Sequence, residues 1–230
     1  MQPSLAAIIP AASVSSPRCP CPIPKAASRK SNTLSIRSRR TASALLTSYD
    51  DKWLGDPCFA PVLGELNRRK AFVFVHPTVP LCCRAIKTGA PAFFLDVPTD
   101  TARTITSLVF TGTLRRFPDI RFIFSHAGGT IMAVAGRITG LAQDSSTTLA
   151  HIPNGKLAKL YYDIAGAADA AAIGALRSIV PTSHLFLGSD YPFVPIPQTT
   201  VGITKLGIAA VDLQAIERGN AQSLFSRWQD

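Results

Sequence analysis

The chain has 230 residues and a mass of 24.5 kDa; 47% of its residues are hydrophobic, 17% are charged, and the mean hydropathy is +0.20. This is the composition of a globular protein with enough chain for a sizeable core, and no apolar run reaches the roughly 18–20 residues that a membrane-spanning helix needs. The formal charge of +10 is concentrated at the front: residues 1–44 carry seven basic side chains and no acid, leaving a body with 17 basic against 14 acidic residues.

That front segment, residues 1–44, has six prolines, many Ser, Ala and Arg residues, and no aromatic side chain. Neither a 3.6-residue nor a 2-residue period persists in it, so it reads as irregular. Acid-free, Arg- and Ser-rich composition suits an organellar transit peptide or a basic tail. The preferred reading is out-of-frame translation: codons can be chosen for Lys30–Ala44 so that the frame one base earlier encodes a fluent amphipathic helix and turn. Nucleic-acid or anionic-membrane binding needs aromatic or amphipathic interleaving, which the segment lacks.

From Leu45 to Asp230 the texture changes to a strand–helix rhythm. A short run at Leu45–Ser48 precedes a helix around Pro61–Lys70, and the apolar Phe72–Val75 ends at His76-Pro77. A helical pattern at Thr101–Arg116 leads to Arg121–Ser125 and His126-Ala127-Gly128-Gly129. After a polar stretch at Gln143–Asn154 come Lys159–Ala165, an alanine-rich helix at Ala168–Ile179, the His184–Pro192 run, and a last helix near Asp212–Ser226. Short strands without polar alternation are buried on both faces, as parallel strands are. Interleaved with helices, they predict an α/β protein with a parallel sheet.

His76, His126 and Asp190 each follow a strand, where active sites of such sheets form. The glycines after His126 let backbone approach a ligand, and a carboxylate at Asp190 would be costly to bury without a cation. Two imidazoles and a carboxylate at one mouth suit zinc or a similar divalent ion. Asp96 and Asp100 read as helix-capping acids, Asp163 as a weaker strand-end acid. Arg103 is a candidate anion binder and Trp53 a candidate pocket wall. His151 and His184 read as structural. The five cysteines contain no C-x-x-C pair, so a reduced intracellular compartment is the default; Cys82 and Cys83 are adjacent, which disfavours chelation of one ion by both, and they read as bland.

The motifs HPT at His76–Thr78, FSHAGG at Phe124–Gly129, LYYDIA at Leu160–Ala165 and GSDYP at Gly188–Pro192, with WLGDP upstream, resemble those of the amidohydrolase-related decarboxylases. That family includes the 6-methylsalicylate, γ-resorcylate and aminocarboxymuconate-semialdehyde decarboxylases, and the resemblance runs over about Leu45–Trp228. It implies an incomplete (β/α)8 TIM-type barrel comprising about strands 4–8. It also implies a divalent metal, zinc first and manganese second, with His76 and Asp190 as ligands and His126 as the catalytic histidine. The implied activity is non-oxidative decarboxylation of a small aromatic acid such as 6-methylsalicylate, by ring protonation from Asp190 or His126 and then loss of CO2. Metal-dependent hydrolysis of a lactone or amide, or a catalytically silent fragment, are the alternatives. No histidine precedes His76, so the H-x-H or E-x-H ligand pair that the family carries on strand 1 is missing, and the chain reads as N-terminally incomplete. The expected setting is cytoplasmic, or organellar with a genuine transit peptide. A small aromatic carboxylate and a second copy of the chain are the expected partners, nucleic acid and membrane are not.

Overall fold

The computed structural model describes residues 42–85, 89–141 and 155–225. The irregular segment up to residue 41, the whole of the polar stretch at 143–154 with His151, and the end of the last helix lie outside these. Within them, β1 (Ala42–Leu46), β4 (Phe72–His76), β5 (Arg121–Phe124), β6 (Tyr161–Asp163) and β7 (Leu185–Phe186) form one sheet in that order, all neighbours parallel. A small antiparallel pair, β2 (Ser48–Tyr49) and β3 (Lys52–Trp53), stands beside it. Its two turn residues, Asp50 and Asp51, both have positive φ, as a tight two-residue hairpin requires.

Helices connect the strands: α1 (Ala60–Arg68) before β4, α2 (Asp96–Phe110) and the short α3 (Thr113–Arg116) before β5, and α4 (Ile131–Leu141) before β6. Then come α5 (Ala170–Arg177) before β7, and α6 (Ile196–Thr204), α7 (Ala210–Gln214) and α8 (Asn220–Leu224) after it. Five sequential parallel strands with helical crossovers are a partial barrel, as expected. β1 begins at Ala42, three residues before the boundary drawn from composition.

The strands that look uniformly apolar do alternate, but between two apolar faces. Val73, Val75, Phe122, Phe124, Tyr162 and Leu185 enter the main core with Ile105, Leu108, Ile131 and Leu176 of the surrounding helices. Phe72, Phe74, Ile123, Tyr161 and Phe186 point to the opposite, inner face, where Leu224 and Phe225 cover them. Because side chains alternate along a strand, His76 continues the inner row of Phe72 and Phe74, and Asp163 that of Tyr161. The sequence thereby aims both at the mouth of the partial barrel.

Candidate metal centre

At the carboxyl edge of the sheet three loops converge. His76 Nε2 lies 3.7 Å from Asp190 Oδ1, and His126 Nε2 lies 4.0 Å from the same oxygen. The two imidazole rings meet edge to face, 5.5 Å between centroids. One ligand atom from each residue falls within 4.8 Å of the others.

Each ring is oriented by its far nitrogen. His76 Nδ1 sits 2.9 Å from the Pro77 carbonyl oxygen, and His126 Nδ1 sits 3.0 Å from that of Ala165. A carbonyl oxygen can only accept, so Nδ1 carries the proton in both rings and Nε2 keeps its lone pair. Two imidazole lone pairs and a carboxylate oxygen therefore face one another with no donor among them. That donor set fits a divalent cation such as zinc or manganese.

Backbone strain is concentrated here. His126, Ala127 and Asp190 have φ values of 57°, 55° and 58°, in a left-handed region that costs non-glycine residues about 1 kcal/mol or more each. Asp163 holds the turn: its Oδ1 accepts from the His126 amide at 2.9 Å and the Ala165 amide at 3.0 Å. One carboxylate oxygen thus fixes both the backbone of His126 and the loop whose carbonyl orients its ring. Burial raises the Asp163 carboxyl above its ordinary value, while the nearby imidazole of His126, the amide hydrogen bonds from His126 and Ala165, and the imidazole of His76 pull it back. Two glycines permit the packing. A Cβ on Gly129 would lie 2.0 Å from the Pro98 carbonyl oxygen, and one on Gly188 would lie 2.8 Å from Asp163 Cγ.

The other sequence candidates have hydrogen-bond partners of their own. Asp100, expected as a helix cap, is fully buried inside α2. It accepts from Trp53 Nε1 at 2.6 Å and Ser48 Oγ at 3.1 Å, and also from Thr47 Oγ1. Trp53 is tied to that carboxylate, which staples the β2–β3 hairpin to α2. Arg103 directs Nη1 at Cys83 Sγ, 3.4 Å away. Asp163, rated weaker from sequence, is the residue that the cluster depends on for its shape. The available signal was its position at a strand end, shared with His76.

The sequence profile of the amidohydrolase family matches residues 43–227. The chain belongs to this family. Among curated relatives of this chain, decarboxylase yanB of Aspergillus niger is 32% identical over 192 residues, 77% of this chain and 52% of the relative. The 6-methylsalicylic acid decarboxylase acuB of Aspergillus aculeatus is 32% identical over 202 residues, 80% of this chain and 59% of the relative. The chain thus spans between half and two thirds of the length of these relatives. Among solved structures it is similar to dihydroxybenzoic acid decarboxylase from Polaromonas sp. JS666, which holds manganese and the inhibitor 2-nitroresorcinol. The TM-score is 0.76 at 17% identity, covering 90% of this chain and 67% of that one. Among the described residues no helix is long and apolar enough to cross a membrane.

Proposed function

We propose that this chain acts in metal-dependent, non-oxidative decarboxylation of a small aromatic 2-hydroxy acid of the 6-methylsalicylate type. The observation that carries the reading is the convergence of His76, His126 and Asp190 at the strand ends, in a chain whose curated relatives include decarboxylases of such acids. His76 and Asp190 hold the ion, and His126 serves the substrate. A divalent ion there supplies positive charge for the carboxylate and the neighbouring ring oxygen of the substrate.

Direct loss of CO2 would leave an aryl carbanion, so the ring carbon bearing the carboxylate is protonated first. With Nδ1–H committed to Ala165, the proton that His126 delivers is the one at Nε2, taken up from solvent. Asp190, 4.0 Å away, stabilises the imidazolium until transfer. The carbon–carbon bond then breaks, CO2 leaves, the ring carbon keeps the proton and aromaticity returns. The net reaction consumes one proton per carboxylate.

The test is to supply the 230-residue chain with zinc or manganese and measure CO2 release and phenol formation from a set of 2-hydroxybenzoates, beside ring opening of aromatic lactones. Decarboxylation that depends on the metal and on His126 is expected. Lactone opening without CO2 release would overturn the proposal in favour of a hydrolase. A chain that retains metal yet turns over neither substrate would overturn it in favour of a silent fragment.

A further inference from the structure

The connection from β4 to α2 carries Cys82 and Cys83 on a single tight turn, Leu81–Cys83, which brings their sulfurs to 3.9 Å. Cys82 is exposed and Cys83 is buried. Two charged groups attend the pair. Arg103 Nη1 donates to Cys83 Sγ at 3.4 Å, and the Cys82 amide donates to Asp51 Oδ1 at 3.2 Å.

The spacing distinguishes between two uses of a thiol pair. Neighbouring Cα atoms across a trans peptide are about 3.8 Å apart, below the roughly 4.4–6.8 Å that an unstrained disulfide spans. Two thiolates each about 2.3 Å from one tetrahedral ion lie about 3.8 Å apart, close to the separation found here. The charges agree with an ion. Two thiolates and Asp51, less the guanidinium of Arg103, leave two negative charges, which one divalent cation neutralises.

We propose that Cys82 and Cys83 form a second cation site, a vicinal thiolate pair selective for a soft divalent ion and separate from the histidine–aspartate centre. The two sites divide ions by ligand type. Sulfur favours the soft, thiophilic ion, whereas imidazole and carboxylate accept the borderline and harder ones. Both thiols must lose their protons to bind an ion. Occupation therefore releases protons and weakens in acid. The site stands independently of any decarboxylase activity.

The experiment is a titration of the full chain with cadmium chloride, following the ultraviolet thiolate-to-cadmium charge-transfer band and the number of thiols left reactive to a disulfide reagent. Imidazole and carboxylate ligands give no such band, so the other centre is silent. Saturation at one cadmium per chain with two thiols shielded is expected. The band is lost in Cys82→Ser, an exposed position where thermal melting verifies the fold. It is kept when Cys19 and Cys21, the chain's other closely spaced thiols, are both replaced by Ser. A band that persists in Cys82→Ser, or disappears with Cys19 and Cys21, would overturn the proposal, as would the absence of any band.

Discussion

The two ends of the sheet use the same residue types to opposite effect. At the amino end lies a cavity of about 500 Å³ lined by Arg121, Tyr161, Ser183, His184, Asn220 and Leu224 among others. At the carboxyl end His76, His126 and Asp190 meet. His184 also sets Nδ1 on a backbone carbonyl, that of Leu160 at 3.2 Å, as the other two histidines do with Pro77 and Ala165. The difference is what the rest of each ring meets. His184 stacks on Tyr161 with centroids 4.1 Å apart, whereas the mouth histidines turn lone pairs toward a carboxylate. Positive φ divides the same way: outside the β2–β3 hairpin and Lys70 just after α1, the strained non-glycine residues among those described are His126, Ala127 and Asp190. Open space therefore does not mark the chemistry of this fold; converging acceptors and stored backbone strain do.

Two substitutions set the contrast most sharply. Asp190→Ala removes the oxygen shared by both imidazoles, and manganese retained after dialysis, measured by elemental mass spectrometry, is expected to fall from near one per chain to background, since the thiol pair does not favour that harder ion. His184→Gln at the other end leaves metal content unchanged. Equal loss in both variants would mean that the histidines act through the fold rather than through a site.

A smaller and more selective effect is expected of Asp163→Asn. The amide oxygen still accepts from the His126 and Ala165 amides, so the turn persists, but the negative charge beneath the imidazoles is gone. Loss of an outer carboxylate of this kind weakens metal affinity by about 10–100-fold. The sign for stability is opposite. Burial raises the Asp163 carboxyl, so its ionisation disfavours the fold as pH rises through the raised value, and the uncharged amide escapes that cost. The variant is expected to hold metal more weakly while melting no lower than the parent at neutral pH. A lower melting temperature with unchanged metal affinity would reassign Asp163 to the core alone.

How much of this was legible depends on where the information is written. Phe72–Val75 and Arg121–Ser125 read as buried strands because both faces of the sheet are covered, and His76 and His126 follow from the ends of those strands, as Asp190 does from the later run at His184–Pro192. The opening run was set at Leu45–Ser48, and the strand is Ala42–Leu46; Ala and Ser at its start carry little strand signal, since pairing with Phe72–His76 fixes them there. The helices Ile131–Leu141 and Ile196–Thr204 were not anticipated. Both mix glycine with β-branched residues of low helix propensity, and packing through residues such as Ile131 and Ile203, not propensity, stabilises them. Asp100 read as a cap because α2 was started at Thr101, whereas the helix begins at Asp96. Its partners Ser48 and Trp53 are about fifty residues away, a separation that no local pattern reports.

The smallest expected effect belongs to neither end of the sheet and so calibrates the others. On α1, Glu65 accepts from Arg68 at 2.7 and 2.9 Å and from Arg69 at 2.5 Å. These contacts, with the Arg68 hydrogen bond foremost, hold its carboxyl down to about 2. A carboxyl lowered by folding contributes stability above its unfolded value, and that contribution disappears as pH falls from about 4.5 toward 2. Arg68 is 68% exposed, so solvent screens the pair and the contribution is small. Glu65→Gln is therefore expected to lower the thermal midpoint at pH 7 by at most about 4 °C, with the difference vanishing near pH 2 and metal content unaffected at any pH. A deficit that persisted unchanged in acid would show that Glu65 acts by packing, not by charge.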